Sequence, residues 1–283
     1  MKYLIFFGDF MTEILGLDSV INHNKVLEKQ QLFGSFSSQI NTSKQNCEAV
    51  VLMAGGNGKR LAPLTNVRPK PLLKVGPRPL LETTIRRFIS RGFTNFWLSI
   101  NYLGEMIENH FHDGIEFGAN IKYLRENCAL GTAGSLSLLN KKPKKPLIIM
   151  NADILTDIDF DELLKSHKES KASATICTIE QSIQIPYGVV EEEGNYLHSI
   201  TEKPQKKYLV NAGIYVIDPE VLDYIHKNTF IDMTEVIDLI KNDNKKISVY
   251  KIRDYWCDIG QKIDLENANR EFNNFFFIEK YDG

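Results

Sequence analysis

From residue 47 to residue 153, short apolar runs alternate with stretches whose apolar residues recur at helical spacing. Ala49–Met53 is an unbroken apolar run and reads as a buried strand. Residues 80–91 place Leu81, Ile85, Phe88 and Ile89 on one helical face, with Gly92 as the C-cap. Asn95–Ile100 and residues 121–125 read as strands, and residues 103–112 as a helix closing at Asp113-Gly114. Gly131 opens a helix running to about Leu139. Residues 146–150 are apolar throughout, as a parallel strand covered on both faces requires. This alternation predicts an α/β fold built on a Rossmann-like, doubly wound sheet. Ligands of such sheets bind outside the carboxyl ends of the strands.

Beyond Asp153 the rhythm changes. Phe160–Ser170 reads as a helix with Phe160, Leu163, Leu164 and His167 on one side, so His167 is expected to be a packed residue and not a ligand. Residues 172–180, 188–193, 196–202 and 209–217 are rich in β-formers. Residues 219–226 and 233–241 read as helices, 246–251 as a strand, and 262–273 as a closing helix. The later strands are expected to make the sheet a mixed one. The aromatic triplet Phe275, Phe276 and Phe277 either packs on the domain's own core or forms a subunit interface of a homo-oligomer.

Residues 1–46 show no such order. Two short apolar patches, at 3–7 and 14–21, precede a polar stretch at 35–45 that looks like a linker. The division expected is an appendage over 1–46 and a main domain over 47–283. The chain has 283 residues and a formal net charge of -2, which argues against a nucleic-acid partner. Its four cysteines form no C-x-x-C pair, so neither a zinc site nor a redox motif is suggested. No run approaches the ~18 apolar residues of a membrane helix, and the N-terminal apolar run is cut short by Asp9. A cytoplasmic protein without a membrane partner is expected.

The first strand ends in Ala54-Gly55-Gly56-Asn57-Gly58-Lys59-Arg60, followed by Pro69-Lys70-Pro71. Glycines let backbone N–H groups approach a bulky anion, and Arg60 and Lys70 supply charge. The ATPase P-loop is excluded, since Met53 and Arg60 stand where it needs Gly and Ser or Thr. The dinucleotide fingerprint is excluded because Leu61 replaces its third glycine. Gly-Gly-x-Gly-x-Arg-Leu-x-Pro-Leu-Thr followed by Pro-Lys-Pro-Leu-Leu instead resembles the signature of the sugar nucleotidyltransferases, or nucleoside-diphosphate-sugar pyrophosphorylases. Leu130-Gly131-Thr132-Ala133-Gly134, Asn151-Ala152-Asp153, Glu202-Lys203-Pro204, Asn211-Ala212-Gly213 and Trp256-Cys257-Asp258-Ile259-Gly260 extend the resemblance, in order, over residues 47–273. The branch it resembles most is that of the mannose-1-phosphate guanylyltransferase-like proteins. One departure is Ala152, where many members carry Gly.

The resemblance implies the nucleotide-diphospho-sugar transferase type of fold. It also implies a reaction joining an NTP to a sugar 1-phosphate, with an NDP-sugar and pyrophosphate as products. In some members a pair of regulatory CBS modules precedes the catalytic domain; residues 1–46 are too short for the pair and match it poorly, but a remnant is compatible with their length. The nucleophile of the reaction is already anionic, so no general base is needed. Positioning and charge neutralisation are the task. By the resemblance, Arg60, Lys70 and Asp153 are catalytic, and Asp153 and Asp258 hold Mg²⁺. Ala54, Gly55, Gly56, Gly58, Asn101 and Gly131 line the nucleotide site with Arg60 and Lys70. Tyr187, Gly188, Glu202, Lys203 and Asn211 take the sugar phosphate. Glu126 is either a reader of guanine N1–H and amino groups, selecting GTP, or a solvated charge. The alternative within the class uses UTP or CTP on a sugar phosphate or an alcohol phosphate. A catalytically inactive sensor of NDP-sugars is the alternative function, and it is disfavoured by the presence of Arg60, Lys70, Asp153 and Asp258.

Overall fold

A computed structural model describes residues 47–276. The appendage expected over 1–46 and the third residue of the aromatic triplet, Phe277, lie outside the described residues. The strands are β1 Ala49–Met53, β2 Lys74–Val75, β3 Arg78–Pro79, β4 Asn95–Ile100, β5 Asn120–Arg125, β6 Leu147–Asn151 and β7 Ile154–Thr156. They continue with β8 Ala174–Gln184, β9 Val189–Glu193, β10 Tyr196–Thr201, β11 Gln205–Ile217, β12 Ile247–Lys251 and β13 Trp256–Asp258.

Seven of them form one sheet in the order β12-β8-β11-β6-β1-β4-β5. Strand β11 runs antiparallel to β6 and β8, and the other pairings are parallel. The sheet is therefore mixed, as expected. Successive residues of a strand face opposite sides. Val50 and Leu52 enter one core cluster, against Leu81, Phe88, Ile107 and Phe160 of three helices. Ala49 and Val51 enter the other, with Ala133, Met233 and Val236. His167 is buried, with its ring nitrogens 2.7 Å from Thr175 Oγ1 and 3.4 Å from Asp218 Oδ1. It is the packed residue its helical face implied.

A third cluster joins Val75, Leu80, Leu155 and Ile259 to Ala268, Phe272 and Phe276 of the terminal segment. Here Gly76 has φ +65°, and a Cβ on it would stand 2.6 Å from the Phe272 ring. Phe276 belongs to this core, while the half-exposed Phe275 stacks on Tyr255 at 4.2 Å.

Some bounds differ from those the pattern predicts. Residues 219–226 do not form an α-helix; Pro219–Tyr224 is a 3-10 helix. Strands β8 and β11 outrun their apolar signal. Gln181, Ser182 and Gln184 pair with Tyr208, Lys207 and Gln205, so backbone ladder bonds extend the strands through polar, exposed residues. This extension and the β9–β10 hairpin form an arm that buries little. Strand β7, only three residues long, pairs antiparallel with β13 and carries no readable period.

Candidate active site

The site is built at the carboxyl ends of β1 and β6. After Met53 the chain leaves the sheet through Ala54, whose N–H is held by Ser99 O at 2.8 Å. Gly58 has φ +59°, and a Cβ there would meet Thr65 Cγ2 at 2.9 Å and Lys70 Cβ at 3.2 Å. Glycine is thus needed for the turn and for the close passage of the Lys70 segment. A lobe of about 260 Å³ lies over this loop, lined by Gly56, Gly58, Arg60, Lys70, Asp153 and Gly260 among others. Arg60 is exposed, and its guanidinium lies across Gly260, where a Cβ would come within 3.3 Å of Nη1.

The β7–β13 ladder brings two distant carboxylates together. Asp258 pairs in register with Ile154, and Ile259 N donates to Asp153 O at 3.0 Å. Lys70, itself nearly buried, reaches into this place. Its ammonium lies 2.5 Å from Asp153 Oδ2 and 3.9 Å from Asp258 Oδ1. Burial pushes the Asp258 carboxyl above the ordinary carboxylate range, and the Asp153 charge adds to this; Lys70 and Arg60 pull it back. Among the described residues no cluster of three or more His, Cys, Asp or Glu suits a closed metal cage. Asp153 lines the lobe and Asp258 stands beside it across Lys70, a pair of carboxylates that fits Mg²⁺, which completes its shell with waters and substrate phosphates.

A second lobe, of about 350 Å³, shares Met53, Gly56 and Asp153 with the first. Gly55, Glu126 and Gly131, which the resemblance assigns to the nucleotide, line it. Glu126 is not a freely solvated charge. Its Oε1 accepts from Ser99 Oγ at 2.5 Å and its Oε2 from Leu130 N at 2.9 Å, which fixes the carboxylate in the wall. A Cβ on Gly55 would meet that Oε1 at 3.0 Å and Asn101 Cβ at 3.3 Å. Asn101 therefore stands directly behind the glycine loop.

The residues expected at the sugar form two groups. Tyr187, Gly188, Glu202 and Lys203 are together on the exposed arm: Lys203 N donates to Tyr187 O at 3.2 Å, and a Gly188 Cβ would lie 2.9 Å from Glu202 Oε2. None of the four lines either lobe. Asn211, at the arm's base, is held by Tyr215 Oη at 2.5 Å and by Gly213 N at 2.9 Å.

Phe230, Asp232 and Thr132 line the second lobe and were not foreseen. The segment carrying the first two presses on the Gly131-Thr132-Ala133-Gly134 turn. Ile231 O accepts from Ala133 N and Gly134 N, and Asp232 Oδ1 accepts from Thr132 N at 2.8 Å. A Cβ on Gly131 would lie 2.6 Å from Ile231 O, and one on Gly134 2.5 Å from Thr229 O. These glycines are there for a backbone that arrives a hundred residues later. The readable signal was Asp232 with Glu235, a capping box for the Met233–Asn242 helix.

With this geometry in view, residues 49–274 match the family model described as Nucleotidyl transferase. The chain belongs to the nucleotidyl transferase family. It is 34% identical over 225 residues to the mannose-1-phosphate guanyltransferase of Debaryomyces hansenii, and 33% identical over 226 residues to that of Saccharomyces cerevisiae. Each match takes in 76% of this chain and 62% of the relative. The UTP–glucose-1-phosphate uridylyltransferase of Synechocystis sp. is 30% identical over 249 residues, covering 77% of this chain and 64% of that one. The chain thus spans somewhat under two thirds of the length of these curated relatives. Among solved structures, HddC from Yersinia pseudotuberculosis in complex with GMP-PN superposes with a TM-score of 0.61 at 20% identity, over 79% of this chain and 99% of that one. UDP-glucose pyrophosphorylase from Acinetobacter baumanii gives 0.62 at 19% identity, over 81% and 98%. The nucleotidyl transferase fold is shared with both.

Proposed function

We propose that the chain transfers a nucleotidyl group from an NTP, GTP in our reading, to a sugar 1-phosphate, releasing pyrophosphate and forming an NDP-sugar for glycan or polysaccharide synthesis. The observation that carries this is the convergence of Lys70, Asp153 and Asp258 beside the glycine loop. An oxygen of the sugar phosphate attacks the α-phosphorus, the bond from that phosphorus to the bridging α–β oxygen breaks, and pyrophosphate leaves with the bonding electrons. Two polyanions must meet, so the chain's task is to hold them in line and spread their charge. The loop amides around Gly56 and Gly58 face the triphosphate. Arg60, a planar fork, holds the departing phosphates. Lys70 swings from the carboxylates to the α-phosphate. Asp153 and Asp258 would hold Mg²⁺, which when bound supplies charge neutralisation at the α-phosphate. The arm residues Tyr187, Gly188, Glu202 and Lys203, with Asn211, would receive the sugar.

The choice of GTP rests on the two yeast relatives and on Glu126, a fixed acceptor in the lobe beside Gly131. The Synechocystis relative favours UTP as the second reading. A cytoplasmic setting agrees with the reaction, and among the described residues no helix is long and apolar enough to cross a membrane. The test is pyrophosphate release with Mg²⁺, across four NTPs and mannose, glucose, glucosamine and heptose 1-phosphates. Release from one pair fixes base and sugar together. Silence throughout, with NDP-sugar still bound, would replace the enzyme by a sensor.

A further inference from the structure

We propose that the molecule has a second site for a nucleoside polyphosphate, at the end of the sheet opposite the glycine loop. A cavity of about 680 Å³ opens where β1, β4, β5 and β6 begin, with Ala49, Asn95, Asn120 and Leu147 in its wall. It is larger than either lobe of the cleft and falls in the size range of ligand sites. Nothing in the proposed reaction uses it.

Its wall has two kinds of chemistry. Lys122, Lys141, Lys142 and Lys144 line it, opposed by one carboxylate, Glu48. Lys142 is paired with Asp223 at 2.6 Å. Among the described residues Lys122, Lys141 and Lys144 make no ion pair. The whole chain carries a formal charge of -2, so this positive charge is local. Ammonium groups gathered in a cleft repel one another, and a polyanion relieves that repulsion. The second element is aromatic. Trp97 is half-buried, with the Lys122 ammonium 5.3 Å from its ring centre. Beside it, Asn120 Nδ2 donates to Asn95 Oδ1 at 3.3 Å, leaving amide groups for a polar edge. A nucleobase matches the ring and the amides, and its phosphates match the lysines.

The site would share two strands with the cleft. Ala49 and Leu147 border the cavity, and the far ends of the same strands, Met53 and Asn151, border the cleft. Roughly 13 Å of strand, four steps of ~3.3 Å, separates them.

The test is calorimetric titration of the intact chain with GTP, and separately with UTP, in Mg²⁺ and without any sugar 1-phosphate, so that no turnover occurs. Two binding events per chain are expected. Lys141→Ala with Lys144→Ala, both on an exposed loop, should weaken one event by at least about tenfold and spare the other. Arg60→Ala should do the reverse. In the Arg60→Ala protein, GTP should quench tryptophan emission, and inorganic pyrophosphate should bind far more weakly. A single event, or two events untouched by the lysine changes, overturns the proposal. Pyrophosphate binding as tightly as GTP at this site overturns the nucleobase half of it. These outcomes do not depend on whether the chain turns over a sugar phosphate.

Discussion

Lys70 sits where two carboxylates would otherwise face each other with no counter-charge between them. Lys70→Met should therefore slow turnover and also lower the melting temperature of the metal-free protein. Added Mg²⁺ should raise that temperature more in the variant than in the parent, because metal and ammonium compete for one place. Scanning fluorimetry with and without Mg²⁺ measures this, and equal shifts would remove Lys70 from the metal pair. Asp153→Asn keeps the volume and removes a charge, so turnover should fall by at least about 100-fold with the fold unchanged. Activity near the parent's would show the metal assignment to be wrong. Glu126→Gln replaces an acceptor oxygen with a donor opposite Ser99 Oγ or Leu130 N. The ratio of kcat/KM for GTP over UTP should drop, and an unchanged ratio would sink Glu126 as the base reader. Of the residues the sequence singled out, the loop and carboxylate groups come together and the arm residues Tyr187, Gly188, Glu202 and Lys203 stand apart from both lobes. Arg60, Lys70 and Asp153 line one lobe, and Gly55, Glu126 and Gly131 line the other. Phe230 and Asp232 were hidden, because an aromatic in a loop and a helix cap look the same wherever they face.

Elements with a full apolar period were read to within a few residues: β1, β4 and the helices over Leu80–Ser90, Gly104–Phe111 and Phe160–Ser170. Those held by backbone pairing alone were not, as β7 and the outer halves of β8 and β11 show. Side-chain pattern reports burial, and these segments are either exposed or too short to have a period. The Gly131–Gly134 turn shows how an element-level contact can overrule local preference. Gly134 has helical dihedrals, φ −61° and ψ −29°, where Ala normally gains about 1 kcal/mol. A Cβ there would stand 2.5 Å from Thr229 O, a backbone atom that cannot turn aside. Gly134→Ala should therefore destabilise the protein, by about 1–3 kcal/mol. Urea denaturation gives the sign, and a gain in stability would mean that the 229–232 segment is free to move.

On the scale of the whole molecule, the sheet places its candidate chemistry by topology. The glycine loop and Asp153 follow adjacent parallel strands, β1 and β6, so their meeting was readable from strand order alone. Asp258 was brought there by a different device, the β7–β13 ladder, with the terminal helix packed beneath it on Leu155 and Ile259. That ladder has a consequence for how the protein is made. A ribosome delivers Asp153 long before Asp258, and the seven strands of the main sheet are all present once Lys251 has emerged. The nascent chain can therefore assemble its sheet while the proposed metal pair still lacks one carboxylate, so the scaffold is complete before the candidate site is.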